Sequence, residues 1–551
     1  MVRFPGAEGW NRIEAADLLD DFNAGDESIR EFSRKSGVPR TTLQHWFDRA
    51  ERIDMPESAV RFFESGDGQR FLHQLHVSMQ LELHERGNCS LRALSCFLRR
   101  AGLDRFIPSS KTSLASGCAE LEEAVVDFTT IEHDRMAVGM PVKQITVAED
   151  ETFPSGICLV AIEPVSNFIL LEKMADNRTT ETWDESMKQV LAPLSVIVMQ
   201  GVGDESRSLV KHVKEGLGAH HSPDTFHIQQ ELTRGGSAQL RMKVKRGGEA
   251  LDERIKKTAE WERRKKEYAE MPFRPRGRPF TFDDRIAEAR RDEMEQVEKL
   301  RESEESEKIF HAERREVSEC YHPYDLLTGL PQSSKKVESR LNTAFDRIQE
   351  VTGSLAEAFK KRIAKARKRV SDMKSTIAFF YSMVSIYLDN RMFDDRARML
   401  LEDVLIPACY LRQAAKKIQD KTKRHEVLFA AEHMMSDFNR GVGPFEMYRD
   451  VEKKDMLKAA EECAAVFQRS SSAVEGRNGQ LSLKYHNLHR LTGRKLKCLT
   501  GLHNFYTRRT DGTTPAQRFF ETEHPDLFEY LLKTLSPPGR PRIAERLAMA
   551  A

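Results

Sequence analysis

Apolar runs with the length and composition of β-strands occur in only one part of this chain, between residues 143 and 228. They predict strands at 143–150, 156–165, 167–174, 194–204 and 224–228, with helices at 180–191 and 205–217. The second and third runs are joined by a short turn, which predicts a hairpin. The order of the elements indicates an α/β layer built on a mixed five-stranded sheet.

Helical periodicity dominates the rest of the chain. Residues 335–440 carry Leu, Met, Phe and Ala at helical spacing, which predicts a helical bundle. More than half of residues 251–320 are charged and their apolar spacing is weak, so we expect a solvated helical or coiled-coil arm there. The strands are therefore followed by a long all-α segment at 233–469. The C-terminal tail, at least from Ser536, is expected to be loosely ordered.

Composition excludes several classes of protein. Charged side chains make up 31% of the 551 residues, but the formal net charge is only +1, so total charge predicts neither a nucleic-acid nor a membrane partner. No apolar run approaches the roughly 20 residues of a membrane helix, and the N-terminus lacks the apolar region of a signal peptide. The eight cysteines form no CxxC pair, which argues against a zinc ribbon and a disulfide framework. We expect a soluble cytoplasmic protein without a membrane partner.

Two stretches within residues 1–118 have the pattern of a helix-turn-helix. Residues 27–49 predict two amphipathic helices that meet at Gly37, and residues 90–114 repeat the pattern around Gly102. A linker is expected after them, at 115–141. The polar residues that open the second helices are suited to a DNA groove, and they are Arg40, Thr41, Thr42, Gln44, His45 and Lys111. A purely structural helical hairpin is the alternative.

Two aspartates stand where predicted strands end. Asp150 closes the first run and Asp204 closes the fourth. Ligands of open α/β sheets bind at the carboxyl ends of strands, and clustered carboxylates are natural ligands for Mg²⁺. In a two-metal site, the ions activate the attacking oxygen and stabilise the leaving oxygen of a phosphoryl displacement. The alternative is that both acids simply terminate their strands.

This order of strands and acids, followed by a distant helical acid at Glu475, resembles the RNase H-like core of DDE transposases and integrases. Asp224 and His227 look like the D-x-x-H signature of transposase superfamilies with a large helical insertion, and residues 472–518 are similar to the Glu-helix region of bacterial insertion-sequence transposases. The resemblance covers about 142–232 and 470–520, plus the N-terminal helix pairs. It implies an α/β RNase H-like core interrupted by an all-α insertion, with a tail at 521–551. It also implies that Asp150, Asp204 and Glu475 bind two Mg²⁺ or Mn²⁺ ions, with Asp224 and His227 as active-site support.

The identity of the third acid is open at this stage. Asp224, Glu151 and Glu205 are rivals for Glu475, and an acid in a first helical turn is also favoured by the helix dipole alone. The helical phase favours Glu475, because Val474 and Leu481 share an apolar face and Glu475 projects about 100–140° away from it. A zinc site at His220, His221, Asp224 and His227 is a weaker alternative, because no cysteine lies near.

Further cations indicate contacts with DNA. Arg276 and Arg278, in the sequence Pro-Arg-Gly-Arg-Pro, look like the core of an AT-hook that lies in a narrow minor groove, although a Pro-rich linker is the alternative. Arg477 and Lys484 add positive charge near Glu475 and are expected to hold phosphates.

The hypothesis is a transposase that binds transposon ends and target DNA as a homodimer or higher oligomer, located at the nucleoid. It would cleave strands and transfer them by metal-dependent phosphoryl transfer. The alternatives are a transposase-derived DNA-binding protein or regulator without cleavage activity, and a helical scaffold.

Overall fold

A computed structural model describes residues 12–51, 53, 55–204, 206–234, 236–273, 280–391, 393–488 and 491–541. The chain divides into two compact units. Unit 1 comprises Met1–Lys143, Asp150–Ile197 and Ala473–Ala551, and unit 2 comprises Gln144–Glu149 and Val198–Ser472. Within the described ranges, none of the helices combines the length and the apolar character that a membrane crossing requires.

The N-terminal part of unit 1 is helical. Its helices are α1 (Arg12–Ala24), α2 (Ile29–Ser36), α3 (Arg40–Glu51), α4 (Glu57–Glu64), α5 (Gly66–Ser78), α6 (Leu91–Arg100) and α7 (Lys111–Val138), and a π-helical segment, Met79–Arg86, continues α5. Both predicted helix pairs are present. Their turns contain Gly37 at φ 75° and Gly102 at φ 71°, a left-handed conformation that favours glycine.

The predicted linker at 115–141 is wrong, because most of it belongs to α7. Leu121, Val125 and Phe128 are buried at helical spacing along this helix. Gly501, on a later helix, lies directly against Val125 and Thr129, where an added Cβ would come within 2.6 Å of the Thr129 methyl group. The apolar face of α7 is therefore part of the core of unit 1.

Five strands form one mixed sheet in the order β3-β2-β1-β4-β5, which confirms the α/β layer. The strands are β1 (Lys143–Thr152), β2 (Ile157–Glu163), β3 (Phe168–Ala175), β4 (Val196–Gly203) and β5 (His220–Pro223). Strands β2 and β3 pair antiparallel, as the predicted hairpin requires, and β4 and β5 pair parallel. Helix α8 (Thr180–Leu191) follows β3, and α9 (Arg207–Lys211) with the π-helical segment His212–Gly216 follows β4.

The fifth strand lies earlier than the sequence predicted. Residues 224–228 were expected to be extended, but β5 ends at Pro223 and α10 (Thr225–Thr233) begins directly after it. The reason is local, because the Asp224 carboxylate accepts a hydrogen bond from the backbone N of Phe226 and caps the helix.

The insertion in unit 2 is all-α in its described residues, apart from an isolated bridge between Tyr324 and Pro331. After α10 its helices are α11 (Gly236–Glu270), α12 (Phe282–Glu319), α13 (Ser334–Val351), α14 (Glu357–Arg367), α15 (Val370–Asp389), α16 (Asp395–Leu400), α17 (Ile406–Lys417), α18 (Lys421–Met434), α19 (Ser436–Arg440) and α20 (Asp450–Val466), with a π-helical segment at Leu401–Leu405 and a 3₁₀ turn at Gly443–Phe445. The charged arm consists of α11 and α12, which are cross-linked by ion pairs such as Arg254 to Asp292. The other helices enclose one apolar core that includes Phe345, Phe380 and Phe467, and α11 and α12 contribute Leu240 and Phe310 to it.

Unit 1 is completed by four C-terminal helices, α21 (Ser472–Leu488), α22 (Gly493–Phe505), α23 (Pro515–Phe520) and α24 (Leu527–Thr534). On α22, Asn504 accepts a hydrogen bond from the backbone N of Ile169 and donates one to its carbonyl, so it satisfies the free edge of β3. The tail is more ordered than expected as far as residue 541, since Arg540 forms an ion pair with Glu64 at 3.0 Å.

Candidate active site

Helix α21 is fixed to the sheet by polar contacts of its first two turns. Asn478 Nδ2 donates a hydrogen bond of 2.9 Å to Asp150 Oδ2 on β1. Arg477 donates two hydrogen bonds, of 2.7 and 2.6 Å, to the two carboxylate oxygens of Glu172 on β3. Val474 and Leu481 are fully buried on the apolar face, as their spacing predicted. These contacts set the position and rotation of the helix that carries Glu475.

Asp150 and Glu475 lie close together in unit 1 although they are far apart in the sequence. Each offers a carboxylate oxygen, and these oxygens lie within 4.8 Å of each other. Asp150 is 8% exposed and also accepts a hydrogen bond from the backbone N of Glu151, whereas Glu475 is half-buried. Two carboxylates at this separation repel each other unless a proton or a cation is shared between them.

Asp204 directly follows β4, the neighbour of β1 in the sheet. The two strands run in the same direction, as three successive contacts show: Lys143 N to Ser195 O at 2.9 Å, Thr146 Oγ1 to Gln200 Oε1 at 3.1 Å, and Glu149 O at 2.8 Å from the Cβ that Gly203 lacks. Asp150 is the next residue of β1 after Glu149, and Asp204 is the first residue after the end of β4. The half-buried Asp204 carboxylate accepts a hydrogen bond of 2.7 Å from the backbone N of Ser206.

Asp224 has a clear structural role in unit 2. Its backbone N donates to Gly203 O at 3.2 Å, beside the end of β4. One side-chain oxygen caps α10, and the other accepts a hydrogen bond from Ser471 Oγ. His227 lies one turn later on α10, with Nε2 3.8 Å from Asp224 Oδ2. Asp224 therefore joins β5, α10 and the segment that leads into α21.

That segment, residues 468–471, makes hydrogen bonds within unit 2 to β4, to the end of β5 and to α10. Gln200 Nε2 donates to Gln468 O at 2.9 Å, and both the backbone N and Oγ1 of Thr225 donate to Arg469 O. Burial lowers the pKa of the Arg469 guanidinium, which donates to Ser318 O at 2.6 Å. The chain is thus held at several points immediately before the helix with Glu475 begins.

Glu151 and Glu205 were the other candidates for the third acid, besides Asp224. Glu151 is buried, accepts a hydrogen bond of 3.2 Å from the indole N of Trp183, and lies 3.4 Å from the Arg178 guanidinium. This environment belongs to the packing of α8. Glu205 lies outside the described residues.

The alternative zinc reading of the histidine segment is not supported by the surroundings of His220. Its ring stacks on Phe379 at 4.4 Å between centroids, and its Nε2 lies 3.1 Å from Thr376 Oγ1. Burial lowers the pKa of His220 to about 4, as expected for a ring packed among the insertion helices.

The side chains expected to contact DNA lie in the N-terminal helix pairs, in the AT-hook-like segment and on α21. On α3, Arg40, Thr41, Gln44 and His45 are exposed and Thr42 is half-buried, and Lys111 is exposed at the start of α7. This polar face stays available for a partner. Arg276 and Arg278 lie outside the described residues.

The expectation for Arg477 and Lys484 is wrong. Arg477 is 6% exposed, and its guanidinium is occupied by Glu172. Lys484 is 7% exposed and donates to the backbone carbonyls of His84 and Glu85. Both cations hold unit 1 together and are not placed to receive phosphates.

Sequence reasoning missed three residues that build this region, namely Glu172, Ser471 and Asn478. Asn478 had a detectable signal, because it lies three positions after Glu475 and residues at that spacing share a helix face. Glu172 and Ser471 act through contacts with residues distant in sequence, and one sequence carries no signal for such pairs.

Residues 401–547, which include α21 and Glu475, match the model of a Family of unknown function (DUF6399). Comparison with curated proteins and with solved structures gives no match.

Proposed function

We propose that this protein is a DDE-type transposase whose Asp150, Asp204 and Glu475 bind two Mg²⁺ or Mn²⁺ ions and cleave and join DNA strands. The observation that carries the proposal is the approach of Asp150 and Glu475 to within 4.8 Å. A second support is the strand order, in which β1, the strand that contains Asp150, is the neighbour of β4, the strand that Asp204 follows. The proposed RNase H-like identity of the core rests on this order and on the helix-borne acid.

The donor atoms fit a hard divalent cation. Asp150, Asp204 and Glu475 provide carboxylate oxygens, the ligand type that Mg²⁺ prefers. Asn478 adds an amide oxygen, Oδ1, which is buried and has no hydrogen-bond partner among the described residues. A shared cation would also remove the repulsion between Asp150 and Glu475.

When bound, such ions activate the attacking oxygen and stabilise the leaving oxygen of a phosphoryl displacement. The chain's own residues position the carboxylates. Asn478 orients Asp150 through its hydrogen bond, and the backbone N of Ser206 orients Asp204 in the same way. Arg477 prevents α21 from rotating, so Glu475 keeps its direction toward Asp150. We place Asp224 and His227 in a supporting role, because Asp224 connects α10 to the start of α21.

Recognition of DNA would come from the N-terminal helix pairs. The exposed face of α3, with Arg40, Gln44 and His45, has the donors that read a groove. Because transposition joins two element ends, we expect at least a homodimer. The competing proposal is a DNA-binding protein derived from a transposase that no longer cleaves, and it shares this face but does not require the acids.

The test is cleavage of DNA that carries the sequences flanking the gene, with Mg²⁺ or Mn²⁺. We expect nicking by the wild type and a loss of at least about 100-fold in each of Asp150→Asn, Asp204→Asn and Glu475→Gln, with DNA binding retained. Asp176→Asn is the matched control, because Asp176 is an exposed acid directly after β3 and should keep full activity.

Two outcomes would change the account. Cleavage by Glu475→Gln together with its loss in Asp224→Asn would make Asp224 the third ligand. DNA binding without metal-dependent nicking by the wild type would favour the transposase-derived regulator.

A further inference from the structure

A second group of ligand-type side chains lies in unit 1, away from the proposed active site. His84, Glu85 and Cys118 each offer one ligand atom, and these atoms lie within 4.8 Å of one another. All three residues are buried, at 7%, 0% and 4% exposure. His84 and Glu85 are consecutive residues in the π-helical segment Met79–Arg86, and Cys118 lies on α7. Short π-helical segments often occur at functional sites.

The tautomer of His84 is fixed by its surroundings. Its Nδ1 lies 2.7 Å from the carbonyl oxygen of Cys89, an acceptor, so Nδ1 carries the proton and donates. Nε2 therefore carries the lone pair, and it lies 3.9 Å from Glu85 Oε1. Metal-binding histidines are commonly oriented by a hydrogen bond of this kind from the other ring nitrogen to a backbone carbonyl.

Glu85 is oriented in a similar way and retains one unused oxygen. Its Oε1 accepts from Lys495 Nζ at 2.5 Å, and Lys495 is also 3.1 Å from Glu122 Oε1. Its Oε2 is buried and has no hydrogen-bond partner among the described residues. Leaving a buried carboxylate oxygen without a partner costs free energy, so this atom points to a ligand.

We propose that His84 Nε2, Glu85 Oε2 and Cys118 Sγ bind one Zn²⁺ ion that joins the π-helical segment to α7. Nitrogen, carboxylate and thiolate are the donors that Zn²⁺ accepts, at about 2.0–2.3 Å. Tetrahedral geometry at those bond lengths separates the ligand atoms by roughly 3.4–3.8 Å, so small side-chain rotations suffice. Lys495 and Glu122 orient Glu85 from outside the metal's coordination sphere.

Zinc binding would release one proton. Burial raises the pKa of the Cys118 thiol to about 12, with a smaller contribution from Glu85. The Sγ proton therefore leaves to solvent when the sulfur–zinc bond forms.

The test is the zinc content of the full chain, measured by mass spectrometry after expression with zinc and exhaustive dialysis. The measurement uses the Asp150→Asn, Glu475→Gln double variant, so that the proposed active site does not contribute. We expect about one Zn²⁺ per chain, a zinc affinity at least about tenfold lower in Cys118→Ser and Glu85→Gln, and no change in Cys96→Ser. Cys96 is an exposed thiol on the neighbouring helix α6 and serves as the matched control.

A spectroscopic measurement keeps the proposal testable if those variants fail to fold. The Asp150→Asn, Glu475→Gln double variant keeps His84, Glu85 and Cys118. When it is loaded with Co²⁺, it should show a thiolate-to-cobalt charge-transfer band and the intense visible bands of tetrahedral cobalt. Three results would each overturn the assignment: no bound zinc in the double variant, no thiolate-to-cobalt band in its Co²⁺ form, or an unchanged zinc affinity in a folded Cys118→Ser.

Discussion

Helix α21 carries two contacts with acids of the sheet, and they differ in kind. At the first, Arg477 and Glu172 form a bidentate pair whose side chains are 6% and 0% exposed. At the second, two residues earlier on the helix, Glu475 approaches another carboxylate, Asp150. The buried pair has complementary charge and good geometry, which is what a structural contact needs. The approach of like charges costs stability, and such a cost is typical of a functional site.

The comparison predicts opposite consequences for stability and activity. Changes at the Arg477 contact should destabilise the fold, whereas changes at the Glu475 contact should remove function and leave the fold intact.

Arg477→Ala should have the largest effect on folding. It leaves the Glu172 carboxylate buried with Thr500 Oγ1 as a remaining donor, at 2.6 Å. Removing one partner of a buried ion pair costs about 3–5 kcal/mol. Urea unfolding of the variant would measure this loss. The double variant Arg477→Leu, Glu172→Leu should recover most of it, and a loss below about 1 kcal/mol in the single variant would mean that the pair is not structural.

Asn478→Ala should lower both the stability of the fold and the cleavage activity. It removes a hydrogen bond of 2.9 Å to the buried Asp150 carboxylate, which costs about 1–3 kcal/mol. Because Asp150 also loses its orientation, we expect slower cleavage at saturating metal, measured as kcat. Asn478→Asp adds a fourth acid to the proposed site and should lower activity further. Unchanged kcat in a folded Asn478→Ala would remove its positioning role.

Low pH should reduce the stability of the fold through His503 on α22. Burial, with a smaller contribution from the nearby Arg477, lowers the pKa of His503 to about 4. The unfolded chain therefore takes up the proton first as pH falls from about 6.5 to 4, and stability decreases across that range. The slope from one such proton is at most about 1.4 kcal/mol per pH unit.

The variant His503→Gln isolates this contribution. Its free energy of unfolding should depend less on pH than that of the wild type between about pH 6.5 and 4. Equal slopes for the two proteins would show that another group is responsible.

Glu475→Gln should have the smallest effect on folding. The side chain is half-buried, and removing its charge relieves repulsion with Asp150, so the free energy of unfolding should change by no more than about 0.5 kcal/mol. If the free energy of unfolding fell by several kcal/mol, Glu475 would be a structural residue, as Arg477 is, and the two contacts would not differ in role.

Local signals in the sequence were enough for four of the five strands, for both helix pairs and for the charged arm. Alternation and apolar runs located β1 to β4, and glycine located the turns at Gly37 and Gly102. The fifth strand was misplaced because the capping role of Asp224 outweighs the extended preference of the apolar residues after it. The helix α7 was read as a linker because its apolar face is filled by distant partners.

The candidate site was predictable only in part. The order of the acids suggested Asp150 and Glu475, and the helical phase of α21 agreed with that choice. Charge alone could not separate the buried Arg477 and Lys484 from cations that bind phosphate, because burial depends on Glu172 and on the carbonyls of the π-helical segment. One sequence contains no information on such pairings.

The most direct test of the central claim is metal-directed cleavage of the protein backbone. Fe²⁺ replaces Mg²⁺ at sites built of oxygen ligands, and with ascorbate and peroxide it cuts the chain near the bound ion. We predict cuts near Asp150, Asp204 and Glu475 that excess Mg²⁺ suppresses and that Glu475→Gln weakens. Mg²⁺-sensitive cuts that stay away from these three residues, or that persist unchanged in Glu475→Gln, would contradict the account.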